Sequence, residues 1–587
     1  MSDQVSQLDP AAPRPVSAWR QWELAALALL VLAVYFTRLS AVPICGEESR
    51  WANAAREMIA SGDWIVPRQQ GTLFAERPPL SSWAMALVGL TRGQIDLVAV
   101  RLPSALATLL LTCGIYLYVR GWASRLAAFA SAAIFATFGQ VMMLGRFGES
   151  EALFTLFAGG SLLVWHAGYL RGRPMALVWT AGYALAALGA LTKGLQAPVY
   201  FMAATATFLA VRREWRTLFS RAHAAGLLGF AAIVGAWLVP FLPQGPDALI
   251  DVWTGLLEER VSMAGLVAHL ASYPFETFAC LLPWSPLLIG LVKSSIRRSL
   301  WQARPQVQFL LVALAVSYPT VWLVTGARGR YYMPLYPCLA VLMGLIVERC
   351  TVAGVYRPDF AMWQRYLRGL AVATAIGAAC VLTITLVPAD AWAAARQPLP
   401  FACAWIAAAL ITAGVALWAL RSESAPRPQV AIAVGALFAG LSYSGLVVNA
   451  RIAGGNDLAP AVASVKEQLP GADDLVSLGR VYHRFAYSYQ TPIRQVSWPT
   501  TAEQLPADVE YFCFDRRPGD TAEDRAGNDD RLGAHTPGVL PFAWEKIAEI
   551  PCDPVKRGVP HRSVIIGRVR RPAEAAGGLS VSRPGRR

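Results

Sequence analysis

The sequence predicts a multi-pass α-helical membrane protein of about thirteen spans, followed by a small C-terminal α/β domain outside the bilayer. Three observations predict it. Of 587 residues, 55% are hydrophobic and 20 are Trp, with a mean hydropathy of +0.41, too apolar for a soluble chain of this size. Apolar stretches of bilayer-crossing length recur up to residue 449, separated by short clusters of Arg and Lys. The last 138 residues lose that pattern and break into short strand-like and helix-like runs between Pro, Gly and Asp.

Residues 1–20 are polar and rich in Pro, Ser and Ala, which predicts a disordered tail. No small-residue cleavage site follows the first apolar stretch, so that stretch is expected to stay as an anchor rather than leave as a signal peptide. Spans are expected near 22–40, 102–119, 126–144, 151–170, 175–191, 195–211, 223–243, 276–292, 307–325, 331–348, 368–387, 401–420 and 429–449. Between the first two lies a loop, 41–101, in which Trp51, Ala54, Ala55, Met58 and Ile59 share one helical face. The spacing predicts a helix lying on the membrane rather than crossing it. From 450 to 571 a helix near 459–469 and strands near 474–480, 509–515 and 562–570 are expected, and 572–587 read as a disordered tail. No internal repeat is visible.

Orientation follows from charge. Arg120/Arg125, Arg171/Arg173, Arg212/Arg213/Arg216/Arg221, Lys293/Arg297/Arg298/Arg304, Arg349/Arg357/Arg365/Arg368 and Arg421/Arg427 all fall on one side, which the positive-inside rule makes cytoplasmic. The N-terminus is then expected inside, and loop 41–101 and the C-terminal domain on the outer side of the membrane. The net charge of +14 is accounted for by these clusters, so no nucleic-acid partner is expected. The nine cysteines form no CxxC pair. Cys113, Cys280, Cys338, Cys350, Cys380 and Cys403 lie in or beside spans and read as small packing residues. Cys45, Cys513 and Cys552 fall outside, which leaves a Cys513–Cys552 disulfide as a hypothesis.

Ionisable residues gather at the outer span ends. Glu47-Glu48-Ser49-Arg50-Trp51 and Glu76-Arg77-Pro78-Pro79 occupy the first outer loop; Arg146-Phe147-Gly148-Glu149-Ser150-Glu151 precedes the fourth span. Leu191-Thr192-Lys193-Gly194 ends the fifth, and Arg328-Gly329-Arg330-Tyr331-Tyr332-Met333-Pro334-Leu335-Tyr336-Pro337 enters the tenth. Charges at a membrane boundary are costly to bury, and their occurrence on one side favours a site. Taken singly, Lys193 also reads as a snorkelling side chain, and Arg328 and Arg330 as headgroup anchors. No Asp-x-Asp occurs; Glu149-x-Glu151 imitates it weakly, so a divalent metal is disfavoured and no cofactor is expected. His269, beside apolar residues, reads as structural, with a ligand or acid role as the alternative.

These motifs resemble, in identity and order, those of the polyprenyl-phosphate-dependent glycosyltransferases of the GT-C class, the superfamily of the bacterial aminoarabinose (lipid A) transferases and protein O-mannosyltransferases. Glu47-Glu48-Ser49-Arg50-Trp51-Ala52 with Ala55-Arg56-Glu57-Met58 is similar to the family's Asp-Glu-x-Arg-Tyr-Ala…Ala-Arg-Glu-Met. Glu76-Arg77-Pro78-Pro79-Leu80 resembles Glu-Lys-Pro-Pro-Leu, and Leu191-Thr192-Lys193-Gly194 is the same in both. Pro283-Trp284-Ser285 and the Tyr331-to-Pro337 run complete the series, which covers about residues 40 to 345. Glu47 stands where the family has its catalytic Asp, and Glu151 aligns with the second carboxylate, with Glu149 as a rival.

The resemblance implies an outward-facing enzyme that takes a sugar from a polyprenyl-phosphate carrier and transfers it, with inversion, to lipid A or another glycolipid; a protein acceptor is the runner-up. Glu47, with Glu48 and Glu151, would be catalytic. Arg50, Glu76, Arg77, Lys193, Arg260, Arg330 and Tyr331 would form the donor-phosphate site, since the departing lipid phosphate needs cations more than it needs an acid. A lipid transporter is disfavoured by the absence of repeated halves and midplane charges. An inactive scaffold derived from a transferase is the remaining alternative, because both Glu substitutions lengthen a carboxylate by one methylene.

Overall fold

The computed structural model describes residues 22–244, 263–302, 305–352, 358–387, 392, 396–420, 426–471, 475–516, 540–552 and 562–571. The tails expected at 1–20 and 572–587 lie outside the described residues. The chain divides into two compact units: Met1–Leu39 with Arg101–Ala450, and Ser40–Val100 with Arg451–Arg587.

The first unit is helical. Among the described residues of the chain, eight helices are long and apolar enough to cross a membrane, nine if a bent pair is counted as one. Shorter apolar helices at Trp22–Phe36, Arg125–Ala136, Gln196–Val211 and Gln306–Trp322 occupy four further stretches read as spans from the sequence. The stretch read as a continuous span at 276–292 is corrected: Gly265–Cys280 and Ser285–Val292 meet at 116°. Hydropathy runs unbroken through Cys280-Leu281-Leu282-Pro283-Trp284, and the bend is held instead by single polar contacts. The Trp284 Nε1–H donates to Thr137 Oγ1 at 2.9 Å, and the Gly139 N–H to the Leu282 carbonyl at 2.8 Å.

Arg125–Ala136 shows how this unit packs. Ser124 caps it by accepting the Ala127 N–H at 3.1 Å, and every residue from Ala127 to Ala136 is buried. Small side chains let backbones approach closely, which is how helices associate where water supplies no drive. A buried acid lies at the same end of this helix: Glu23, 1% exposed, accepts from Tyr116 Oη at 2.6 Å, Gln429 Nε2 at 2.8 Å and Arg125 Nε at 3.0 Å.

The second unit joins the early loop to the C-terminal segment. Strands β1 (Arg68–Gln69) and β2 (Thr72–Leu73) form a tight hairpin whose central residues, Gln70 and Gly71, have φ of 54° and 73°. Strands β3 (Leu475–Leu478), β4 (Arg494–Val496), β5 (Tyr511–Arg516), β6 (Trp544–Pro551) and β7 (Ser563–Val569) form one sheet in the order β4-β3-β5-β7-β6. The β3–β4 and β3–β5 pairs are parallel and the remainder antiparallel. The helix expected at 459–469 is Ala459–Lys466, and the strands expected at 474–480, 509–515 and 562–570 are β3, β5 and β7. Strands β4 and β6 were not legible.

The strand order corrects the disulfide hypothesis: Cys513 and Cys552 are both buried and not joined in a disulfide. Cys513 lies on β5 and Cys552 follows β6, with β7 between them. Two strand spacings are about 10 Å, beyond the Cα separation of about 4.4–6.8 Å that a disulfide bridges.

The helix expected to rest on the membrane is Glu48–Ser61, ended by Gly62 in a left-handed conformation. Trp51, Ala54, Ala55 and Met58 are buried, and the first three pack with Phe74, Met85, Ile95 and Tyr487. Protein covers this face, so the lipid contact predicted from its periodicity is not made through it. Opposite, Arg56 donates to the carbonyls of Tyr487 at 3.2 Å and Ala486 at 3.4 Å, at the C-terminal end of the helix His483–Tyr489. Asn53 Nδ2 donates to the His483 carbonyl at 2.8 Å. The Ala-Arg-Glu-Met motif thus ties the early loop to the C-terminal domain.

Candidate active site

Each unit carries a charged cluster built from the motifs. In the second unit, Glu47 sits at the N-terminus of Glu48–Ser61, where an anion is favoured by the helix dipole. Arg50, one turn on, holds two acids: Glu47 Oε2 lies 2.7 Å from its Nε and Glu76 Oε2 2.7 Å from its Nη1. Gln69 Nε2 donates to the Arg50 carbonyl at 3.0 Å, which anchors the turn beneath the pair. The Glu47 side chain remains 45% exposed and can meet a substrate. Arg77 is half-buried and makes no ion pair among the described residues. Glu48 differs from its neighbour: it is wholly buried, and Oε1 accepts the Cys45 N–H at 2.9 Å, shaping the turn that enters the helix.

The C-terminal segment adds residues that sequence reasoning missed. Arg480 follows β3 and donates to Thr72 Oγ1 at 2.9 Å; burial lowers its pKa, and Glu76 and Arg50 lie within electrostatic reach. His483 Nδ1 meets Ser49 Oγ at 2.6 Å. Burial first, then the charges of Arg50, Arg562 and Arg484, hold its pKa well below the usual 6.5. In the unfolded chain the same imidazole is protonated near 6.5, so below that pH the unfolded state binds a proton that the folded state refuses. Stability therefore falls as the pH drops through that value. The melting temperature of the purified chain should decrease from pH 7.5 to 5.5, and His483→Asn should flatten that slope.

In the first unit, Glu151 opens the helix Glu151–Leu170 and Lys193 closes Met175–Lys193, which Gly194 terminates at φ 96°. Lys193 Nζ lies 2.9 Å from Glu151 Oε1, the two side chains being 8% and 6% exposed. Arg330 Nη1 lies 2.7 Å from Glu149 Oε2, and its Nε 3.6 Å from Glu151 Oε1. The Tyr331 ring covers Lys193 Nζ at 4.8 Å, and Gln196 Nε2 donates to the Tyr331 carbonyl at 3.0 Å. The segment Gly329–Leu335 reaches this helix because position 159 is glycine: a Cβ there would lie 2.7 Å from the Pro334 carbonyl oxygen. Two acids and two bases are thus interlocked, with the Lys193–Glu151 pair buried and the Arg330–Glu149 pair partly exposed. Neither the snorkelling reading of Lys193 nor the anchoring reading of Arg330 fits, since both cations are turned onto carboxylates.

Arg260 lies outside the described residues. His269 Nε2 meets the Val321 carbonyl at 3.2 Å and its ring packs on Tyr273, the structural placement expected. Among the described residues no group of three or more His, Cys, Asp or Glu could hold a metal ion. Glu149 and Glu151, which imitate a metal motif in sequence, bond Arg330 and Lys193 instead.

The fold is that of the GT-C membrane glycosyltransferases. ArnT from Cupriavidus metallidurans, solved bound to undecaprenyl phosphate, superimposes with a TM-score of 0.65 at 18% identity, over 93% of this chain and 98% of that one. A family model for dolichyl-phosphate-mannose-protein mannosyltransferase matches residues 76–239. An undecaprenyl phosphate-α-4-amino-4-deoxy-L-arabinose arabinosyl transferase of Pseudomonas aeruginosa is 28% identical over 63% of this chain and 71% of its own length. The enzyme of the same name from Pseudomonas paraeruginosa is 29% identical over the same shares. These comparisons bear out the resemblance carried by the motifs: the chain is related to glycosyltransferases that use lipid-linked sugar donors.

Proposed function

We propose that this chain transfers a sugar from a polyprenyl-phosphate donor to lipid A or another glycolipid, on the periplasmic face of the inner membrane. The observation that carries it is the Glu47–Arg50–Glu76 cluster: an exposed carboxylate gripped by a guanidinium at 2.7 Å, with Arg77 uncommitted nearby in sequence. Relatives whose names state the same donor chemistry support it. In this reading Glu47 removes the proton of the acceptor hydroxyl as its oxygen bonds to the anomeric carbon. The bond from that carbon to the phosphate oxygen breaks, and its electron pair leaves on the polyprenyl phosphate. Attack on the face opposite the phosphate inverts the configuration. Arg50 and Arg77, in the unit that holds Glu47, offer cations to the departing phosphate; Lys193 and Arg330, in the other unit, are donor-phosphate cations that the family resemblance implies, and Glu151 positions Lys193.

Glu151 is assigned positioning rather than base duty because its Oε1 is already bonded to Lys193 at 2.9 Å. Glu48 is assigned to the turn at Cys45 for the corresponding reason. The protein-acceptor reading keeps one support, the mannosyltransferase family match over residues 76–239. Purified chain incubated with a synthetic polyprenyl-phosphate sugar and either lipid A or unfolded periplasmic protein distinguishes them. Mass spectrometry should show lipid A heavier by one sugar residue. Sugar on the protein instead moves the assignment to the runner-up, and no transfer to any acceptor overturns the enzyme reading.

A further inference from the structure

The segment that brings Arg330 and Tyr331 to the Lys193–Glu151 pair is held by side chains from three helices, and one of these holders is a carboxylate that no motif includes. Gly329–Leu335 is a short 3-10 turn with Arg328 at its N-cap, and Arg328 makes no side-chain capping bond. A guanidinium carries donors only, so it cannot accept the N–H groups that a helix start leaves open. Glu276 supplies the acceptor from 53 positions earlier: its Oε1 takes the Gly329 N–H at 2.7 Å. Tyr273, one turn before Glu276 on Met263–Cys280, donates from Oη to the Arg328 carbonyl at 3.3 Å. Tyr336 Oη donates to the Gly329 carbonyl at 3.1 Å, and Gln196 Nε2 to that of Tyr331 at 3.0 Å. Backbone groups on both sides of Arg330 are thereby fixed. Space is restricted as well: a Cβ on Gly329 would lie 2.8 Å from Cys280 Sγ and 3.2 Å from Glu276 Oε1, so glycine lets the segment seat against this helix without a shift. Met263–Cys280 is itself tied down, since Trp322 Nε1–H donates to the Leu270 carbonyl at 2.9 Å.

We propose that Glu276 is a positioning residue for the donor site: through the Gly329 N–H it sets where Arg330 and Tyr331 stand beside Lys193; this rests on the donor-phosphate reading of Arg330 above. Of the side chains that hold this backbone, Glu276 alone is charged, and a carboxylate on an N–H makes a bond roughly twice as strong as a neutral one. Arg330 is divided between Glu149 at 2.7 Å and Glu151 at 3.6 Å. A displacement of about 1 Å in its backbone redistributes the guanidinium between them and alters the charge around Lys193, a scale of misplacement that lowers turnover elsewhere. Glu276 occupies an exposed position, so its replacement leaves no buried charge behind and reports on the segment rather than on folding.

The test uses the full-length purified protein with a polyprenyl-phosphate sugar and a fixed acceptor. Glu276→Ala should lower kcat/KM for the donor by about tenfold while the acceptor KM stays within about twofold, the scale of one hydrogen bond to a charged group. Glu276→Gln, whose amide oxygen still accepts the Gly329 N–H, should regain most of the loss, and Gly329→Ala should shift donor use in the same direction as Glu276→Ala. Because the effect passes through Arg330, Glu276→Ala/Arg330→Ala should be no worse than Arg330→Ala alone. A Glu276→Ala enzyme equal to wild-type, or a double variant about tenfold below Arg330→Ala, overturns the proposal. Arg330→Ala with unchanged donor kcat/KM overturns the donor reading of Arg330 instead. Amide exchange of a peptide spanning residues 320–335 reads the positioning without turnover: the Gly329 N–H should exchange about tenfold faster in Glu276→Ala and at the wild-type rate in Glu276→Gln. Faster exchange confined to Glu276→Ala supports the hold on Gly329 even where no sugar is transferred, whereas equal exchange in all three proteins rejects it.

Discussion

Glu47→Gln lowers sugar transfer by about 100-fold or more while leaving the chain folded and the donor bound. The amide keeps the size of the carboxyl and loses its basicity, so the acceptor proton has nowhere to go as the new bond forms. Arg50 retains Glu76 at 2.7 Å, and the Glu47–Arg50 pair is 45% and 28% exposed, so its loss costs less than about 1 kcal/mol. Single-turnover transfer with the purified variant, alongside its affinity for the polyprenyl-phosphate sugar, measures both halves. Near-normal turnover by the Glu47→Gln variant removes this residue from the role of base.

Lys193→Met should abolish use of the donor, by about 100- to 1,000-fold, and also destabilise the chain. Both consequences follow from burial. With Lys193 gone, Glu151 keeps only Arg330, 3.6 Å away and already bonded to Glu149, and breaking a buried pair costs about 3–5 kcal/mol. Stability and function separate in the double variant Lys193→Met/Glu151→Gln, which removes both charges together. Its melting temperature should return towards wild-type while transfer stays lost. Recovery of transfer by the double variant would reduce the pair to a packing element and shift phosphate binding to Arg50 and Arg77.

What the sequence made legible was whatever depends on neighbouring residues. Most of the apolar stretches, the helix after Arg50 and Lys193 at the end of an apolar helix are local patterns, and the structure puts these on helices as expected. What it concealed depends on residues far apart. Glu48 reads like Glu47 until its carboxylate is found under the Cys45 N–H. Cys513 and Cys552 look pairable until β7 is placed between them. The apolar face of Glu48–Ser61 looks lipid-facing because its cover includes Tyr487, more than four hundred positions away. Arg480 carries no motif at all, and only its hydrogen bond to Thr72 brings it near the charged turn. The 276–292 stretch failed for a different reason: composition reports how apolar a segment is and says nothing of a bend set by Thr137 and Gly139.

The second unit is written in two instalments, Ser40–Val100 and Arg451 onward, with about 350 residues of helical unit made in between. At roughly 5–20 residues per second, the ribosome needs on the order of 20–70 s to deliver the second instalment after the first. Throughout that interval Trp51, Ala54 and Ala55 lack Tyr487, and Asn53 and Arg56 lack the backbone carbonyls they bond in the finished chain. Newly made protein therefore passes through a stage in which the first loop is synthesised but unfinished, exposed to proteases and to wrong partners. Any chain that stops short of His483 remains there.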